Sequence, residues 1–455
     1  MISGFDYGTS NCALGIVKDN NVSLLPLADN GKAFVPSALY AVERELICES
    51  VGLQIQDKTL QDAFIHLRSN PLAQARRVRL QQDIAKDEET LFVGQQAFEQ
   101  YFSMPEEGYF VKSPKSFLGA SGLRPEFVHF FEDIVTAMMQ AIKQRAEAQL
   151  GRSITHTVIG RPVNFQGLHA EQSNKQALDI LSIAAKRAGF VETEFLYEPI
   201  AAGMDFEKTL AENKTVLVVD IGGGTTDCAM VRMGPDHLNL DDRSSDFLAH
   251  TGERIGGNDL DIRLAAECLM PFFGMRSPLK SGKPMPTKTF LDAVSTNDVS
   301  ALTRFSSLDT GLYLEQLQRD CTEPDVIARL IRLRKNKQNQ QLVRYAENAK
   351  IALSDVIDTN VDLSFAETDL AARVTRADLA NAIERPLERI ITLMQEAVKQ
   401  AGKQPDVIYV TGGSAKSPVI REAVERIFGD VPLLDGDHFG SVVSGLTEWA
   451  QRIYR

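Results

Sequence analysis

Short apolar runs, each closed by glycine, proline or an acid, recur at 2–6, 12–17, 155–161, 194–197, 215–220, 228–233 and 406–411, and they read as buried strands. Between several of them the apolar spacing changes to that of a helix. From Glu126 to Leu150 the residues Phe127, Phe131, Ile134, Val135, Met138 and Ile142 fall on one helical face. That helix leads into THTVIGRP, a strand closed by Pro162. A second helix runs from Ala170 to Gly189, with the glycine as its C-terminal cap, and leads into TEFLYEPIAAGMDF, a strand, a turn and a helix start. Farther along, RADLANAIERPLERIITLMQEAVKQAG reads as helix, PDVIYVTGG as strand and SPVIREAVERIF as helix. Alternation of this kind predicts an α/β fold.

One device is written twice. MISGFDYGTSNCALGIV opens the chain, and VLVVDIGGGTTDCAMV occupies residues 216–231. Both place an acid, Asp6 or Asp220, at the end of an apolar run, continue with glycine and hydroxyl residues, and then resume the apolar pattern through Cys-Ala. Each half next runs through helix and strand in the same order, so a duplicated α/β lobe is expected: lobe I over 1–205 and lobe II over 206–455. Two charge-rich stretches of irregular period, about 38–122 and 256–345, interrupt the pattern and read as subdomains inserted into the lobes, the second reaching to about 384.

A chain of 455 residues exceeds one compact core and suggests two to four units at about 100–200 residues each. Its 44% hydrophobic and 24% charged residues are those of an ordinary globular protein. The formal charge of -12 disfavours a general polyanion binder, so nucleic acid is not an expected partner. The strongest basic cluster, RLIRLRKNK at 329–337, reads as a solvated helix face. The most apolar helical segment, FVHFFEDIVTAMMQAI, is interrupted by Glu132 and Asp133, and no basic region leading into an apolar segment opens the chain; a cytoplasmic protein without a membrane partner is expected. Five cysteines without a C-x-x-C pair and seven histidines without ligand spacing form no zinc motif, and Cys12 and Cys228 read as small apolar residues on buried strands.

A glycine-rich turn lets backbone N–H groups converge on one centre, and such concavities bind phosphate. Thr9, Ser10, Thr225 and Thr226 add hydroxyl donors. Neither turn is a P-loop or a dinucleotide fingerprint: the G-x-x-x-x-G-K-[ST] spacing is absent, and the residues after each turn read as strand rather than helix. Asp6 and Asp220 then pose an electrostatic problem, because a carboxylate about 4 Å from a phosphate oxygen is repelled by roughly 4 kcal/mol at an effective dielectric near 20. A divalent cation removes the conflict, and Mg²⁺ bridges carboxylates to substrate phosphates. Two acids facing a phosphate chain suggest hydrolysis or transfer of a phosphoryl group.

The succession FDYGTSN, RPVNF, YEPIAAG, VVDIGGGTTD, GGNDLD, AENAKIALS and VTGGSAKSP resembles the ATPase domain of the seventy-kilodalton heat-shock chaperones, within the actin and sugar-kinase superfamily. The resemblance runs from residue 4 to about 446. It implies two actin-like, ribonuclease-H-like lobes around a nucleotide cleft that takes ATP or ADP with Mg²⁺. Asp6 and Asp220 match the acids that hold the Mg²⁺ water shell. Gly8, Thr9, Ser10 and Asn11 match the first phosphate loop, and Gly222, Gly223, Gly224 and Thr225 the second, with Thr225 reaching the γ-phosphate. Glu198 matches the acid beside the metal and attacking water, and Pro162 the switch proline; taken alone they read as a helix N-cap acid and a strand stop. Glu347, Lys350 and Ser354 match the adenosine helix, where their spacing of three and four puts them on one face. Without the resemblance they read as a surface ion pair with a polar neighbour. Gly412, Gly413 and Ser414 match the loop under adenine and ribose.

Several departures qualify the likeness. Lys416 stands where the family has an arginine stacked on adenine, and a point charge does not reproduce a planar stack. The family's catalytic lysine lies in a K-x-apolar-apolar-Gly pattern, which KSFLG matches at Lys115, with Lys112 as runner-up. Both inserts are longer than the family's, and from the ending GLTEWAQRIYR a protein without the family's β-rich peptide-binding domain is expected. The expectation is a Mg²⁺-dependent ATP-binding protein with slow ATPase activity, whose lobe closure regulates an unidentified protein client or co-chaperone. A small-molecule, sugar-type kinase and an actin-like nucleotide-gated scaffold are the alternatives.

Overall fold

A computed structural model describes residues 1–165, 170–238, 240, 243–436 and 440–454. The fold is mixed α/β, and contacts divide the chain into two compact units. One comprises Met1–Arg254, Thr392–Ala415 and Asp430–Arg455, the other Ile255–Ile391 and Lys416–Gly429. This division differs from one at residue 205, because elements from both ends of the chain share the first unit.

The first unit holds two large sheets with one topology. In the first sheet the hairpin Ile2–Tyr7 and Asn11–Lys18 is extended on one side by Asn21–Leu24, antiparallel, and on the other by His156–Arg161 and Glu192–Tyr197, parallel. In the second, the hairpin Lys214–Ile221 and Thr226–Met233 is extended by antiparallel Phe247–Glu253 and by parallel Val407–Thr411 and Leu433–Asp435. The repeated hairpin of the sequence is thus the centre of a repeated sheet. Cys12 and Cys228 are fully buried on its return strands, and all five cysteines are free.

Helix ends obey the expected signals. Pro125 opens Pro125–Leu150 in the first turn, where its missing N–H costs nothing, and Gly151 closes it at φ 62°. Gly189, at φ 90°, caps the helix Ala170–Arg187 by donating to the Lys186 carbonyl. Two helices pack against the sheet that is not their own in sequence. Glu198–Glu207, which continues the first sheet's last strand, lies against the second hairpin, and Gly440–Ile453 lies against the first. Glycine permits the approach: a Cβ at Gly4 or Gly15 would strike Thr447, and one at Gly445 would strike the Ala201 backbone.

The first insert builds a small sheet of Leu91–Val93, Ala38–Ala41 and Tyr109–Lys112, with helices Leu46–Gln54, Lys58–Leu67 and Ser69–Gln81 beside it. Arg68, between the last two, is 1% exposed and donates to Asp133 at 2.9 Å and Glu132 at 2.7 Å, while Arg187 reaches Glu132 at 3.1 Å. The two acids that interrupt the most apolar helix are therefore internal ion-pair partners. Among the described residues no helix is long and apolar enough to cross a membrane. Removing one member of such a pair leaves uncompensated buried charge, so Arg68→Ala is expected to lower stability by about 3–5 kcal/mol in urea unfolding. A loss below about 1 kcal/mol would show that water or Arg187 takes over.

In the second unit, helix Asn339–Ala352 packs on Gly257–Leu264, and a hairpin of Asp358–Asp362 and Ala371–Thr375 completes its structure with further helices. The basic run falls on helix Pro324–Lys335, which buries Ile327, Leu330 and Leu333. Its arginines are more engaged than a purely solvated face: Arg329 pairs with Glu367 at 2.6 Å, and Arg334 donates to the Phe305 carbonyl at 2.8 Å.

Candidate functional site

The two hairpin turns of the first unit meet. The first runs from the Tyr7–Cys12 pair through Gly8, Thr9, Ser10 and Asn11, and the second from the Ile221–Thr226 pair through Gly222, Gly223, Gly224 and Thr225. A Cβ at Gly223 would collide with the Ser10 hydroxyl, and one at Gly224 would lie 2.9 Å from Thr9 Cγ2 and 3.0 Å from Ser116 Oγ. The glycines are therefore required by the approach of one turn to the other, beyond any need of the turns themselves. Ser37 fixes the first turn by donating to the Gly8 carbonyl at 2.7 Å, and Gly222 donates to the Thr225 carbonyl at 3.0 Å across the second.

Beside the turns the chain assembles four carboxylates. Asp6 is the last residue but one of its strand, Asp220 pairs in register with Asp227 and Thr411, and Glu198 starts the helix after Tyr197. Glu198 Oε1 lies 2.5 Å from Lys115 Nζ, which also donates to the Gly160 carbonyl at 3.3 Å. Lys115 is 5% exposed and Glu198 9%. The Lys115 pattern thus leads to the site, whereas Lys112 lies on the insert's strand Tyr109–Lys112. Pro162 lines the same cleft as Thr9, Lys115, Ser116, Gly224 and Thr225.

Crowding shifts the acids. Burial, then the charge of Glu198, pushes Asp6 up to about 7, against the opposing pull of Lys115. Burial pushes Asp220 well above the usual carboxylate range, with Glu198, Asp227 and Asp6 adding to it. Asp227 also reaches about 7 through burial and Glu198, although it accepts a hydrogen bond from Val163 N at 2.7 Å. Burial lowers the Lys115 ammonium, but Glu198 and Asp6 outweigh it and leave its pKa raised. The unfolded chain releases the Asp6 and Asp227 protons near pH 4, whereas the folded chain holds them to about 7. The folded state thus binds more protons in that window, and stability falls as pH rises through it. Without metal or nucleotide, the melting temperature is expected to climb as pH drops from 8 to 6, and Asp227→Asn to flatten the slope. A slope identical in wild type and variant, read by differential scanning fluorimetry, would contradict the shift.

The donor set fits a phosphate held with a divalent cation. Ser116 Oγ and Asp227 Oδ2 are buried without a hydrogen-bond partner among the described residues, the glycine turns leave space that any Cβ would fill, and the acids exceed the one lysine bound to them. Among the described residues no three His, Cys, Asp or Glu side chains converge to ligate a metal directly. Mg²⁺ does not need such a cage, since one or two carboxylates, waters and substrate phosphates complete its octahedron.

The expected nucleoside residues fall in both units. Gly412, at φ 87°, comes directly after the strand Val407–Thr411, and a Cβ there would lie 2.7 Å from Asp220 Oδ1, so the Gly412–Gly413 turn abuts the second hairpin. Ser414 is buried, and Lys416, two residues on, is exposed. In the second unit Glu347 pairs with Arg344 at 2.9 Å, and Lys350 pairs with Asp261 at 2.8 Å while donating to the Gly257 carbonyl. They do not form an ion pair with each other, and Ser354 lies just beyond their helix. Sequence reasoning missed Asp227, Ser116 and Arg254, the last a further residue of the cleft. Of these only Asp227 carried a signal, as the acid that closes GGGTTD.

Comparison with known proteins covers much of this framework. A match to the family described as Hsp70 protein spans residues 125–277 and 327–437. It includes Glu198, Asp220, the second turn and Lys416; Asp6, the first turn and Lys115 lie outside it. The chaperone protein dnaK3 of Synechococcus elongatus is 26% identical over 311 residues, which is 66% of this chain and 33% of that protein. The chaperone protein DnaK 1 of a Synechococcus species is similar to the same degree and extent. The chain spans about a third of the length of the curated relatives it matches.

Proposed function

The chain belongs to the Hsp70 protein family, and from that premise we propose that it binds ATP with Mg²⁺ at the paired turns, hydrolyses it slowly, and uses closure of two actin-like, ribonuclease-H-like lobes to regulate a protein partner. The observation that carries this reading is the meeting of two glycine turns over Asp6, Asp220 and the Lys115–Glu198 pair.

Backbone N–H groups of Gly8–Asn11 and Gly223–Thr225 hold the β- and γ-phosphates, the Gly222 N–H closes the second turn on the Thr225 carbonyl, and the Thr225 hydroxyl donates to the γ-phosphate. Each charge-assisted hydrogen bond contributes about 1.5–3 kcal/mol. Asp6 and Asp220 would hold the water shell of Mg²⁺, and the cation would offset phosphate charge that these carboxylates otherwise repel. Glu198 orients the water that attacks the γ-phosphorus, while the ion pair with Lys115 holds its carboxylate in place. The bond to the bridging oxygen breaks as the new P–O bond forms, and ADP and phosphate are the products. Pro162 stands at the base of the cleft as the element that carries the change of state onward. The nucleoside residues are carried by each unit separately: Glu347, Lys350 and Ser354 on one, Gly412, Gly413 and Ser414 on the other. Lys416 replaces a stacking arginine with a flexible ammonium, which weakens adenine preference. A client or co-chaperone is the proposed partner, because the relatives are named as chaperones.

Single-turnover hydrolysis of ATP with and without Mg²⁺ tests the reading. Mg²⁺-dependent release of phosphate supports it. Tight binding without turnover would reduce the protein to a nucleotide-gated binding module, and absence of binding would overturn the site itself.

A further inference from the structure

Arg254 comes directly after the strand Phe247–Glu253, whose last residue pairs with Thr226 at the start of the second hairpin's return strand. One residue past that antiparallel pair, Arg254 is level with Thr225, the end of the glycine turn. It lines the cleft together with Thr9, Lys115, Ser116, Gly224 and Thr225. Lys115 is already committed there: its ammonium lies against Glu198 and donates to the Gly160 carbonyl, so its charge serves mainly to balance one acid. A nucleoside triphosphate entering the cleft brings several further negative charges to a place where Asp6, Asp220 and Asp227 are also gathered.

We infer that Arg254 is a further catalytic residue, whose guanidinium takes the terminal phosphoryl oxygens of the bound nucleoside triphosphate. The inference rests on the phosphate reading of the cleft. A guanidinium stays charged at every relevant pH, and its planar fork engages two phosphate oxygens at once. Charge that spreads over the equatorial oxygens during phosphoryl transfer is stabilised by such a group. Attachment to a strand paired with the hairpin holds Arg254 in step with Thr225, so donors and fork approach the same phosphoryl group from fixed elements. An arginine serving only in a surface ion pair has no reason to distinguish ATP from ADP; an arginine on the terminal phosphoryl group does.

The test measures Mg²⁺-ATP and Mg²⁺-ADP affinities by calorimetry, and single-turnover hydrolysis, for the full chain and for Arg254→Ala and Arg254→Lys. Arg254→Ala is expected to weaken ATP about 10- to 100-fold while leaving ADP within about twofold, and to slow turnover at least as much. Arg254→Lys should recover part of the ATP affinity and little of the rate. If the alanine variant does not fold, Arg254→Gln, which keeps the stem and loses the charge, decides by the same ratio. An unchanged ATP-to-ADP ratio, or a lysine variant as fast as wild type, overturns the inference. Wild-type protein that binds neither nucleotide would instead bring down the phosphate reading from which it starts.

Discussion

Asp220→Ala is expected to lower Mg²⁺-dependent nucleotide turnover by more than about 100-fold, and at the same time to leave the ligand-free protein as stable as wild type or more so. The two effects have one cause. Asp220 is 5% exposed, and burial with Glu198, Asp227 and Asp6 as neighbours holds it well above the usual carboxylate range. An acid in that position is costly to the empty fold, and alanine removes the cost. In the proposed site the same acid is one of two whose charge would favour a hydrated divalent cation next to phosphate, a contribution of several kcal/mol to stabilising the developing charge. Thermal melting beside a nucleotide titration makes both measurements. Loss of stability together with retained turnover would show that Asp220 serves the sheet and not the site.

Lys115→Ala is expected to lose turnover as severely but to move stability in the opposite direction. Its side chain and that of Glu198 are 4% and 12% exposed, and without the ammonium the glutamate remains in a buried place beside three further acids. Breaking a buried pair from one side costs about 3–5 kcal/mol. Truncating both partners removes the stranded charge, so Lys115→Ala with Glu198→Ala should recover a large part of that loss while turnover stays absent. A double variant no more stable than the single one would mean that the pair is not the source of the effect.

The two hairpins and their glycine turns were legible because each is local. An apolar strand, an acid, a glycine turn and a second apolar strand lie within about 16 residues of each other in both copies, and register pairs Asp6 with Ala13 and Asp220 with Asp227 without help from distant chain. Lys115 was legible only through a family pattern, since a lysine far from either hairpin in sequence carries no sign that it will meet Glu198. Arg254 and Ser116 carried no sign at all, because their place depends on an edge strand and a short turn brought in by tertiary packing. Arg68 belongs to the same class: the two acids in the long helix looked like a flaw in an apolar face until a guanidinium from the insert filled the space between them. The insert's strands are three to four residues long, too short for alternation to separate from loop. Periodicity also shows which side of a helix is apolar but not which sheet it covers, and so the final helix, read with the second lobe, packs on the first hairpin.

That last placement bears on how the protein can be divided. Glu198–Glu207 and Gly440–Ile453 are each joined by the chain to one sheet and packed on the other, with Gly4, Gly15 and Gly445 allowing backbone-close contact. The halves of the sequence are therefore not halves of the fold. A fragment ending near residue 207 lacks the helix that covers its first hairpin, and its complement lacks the one that covers the second. Cleavage of the exposed stretch between Glu207 and Lys214 would leave two pieces clasped together, and reassembly from separately made pieces would require each to complete the other.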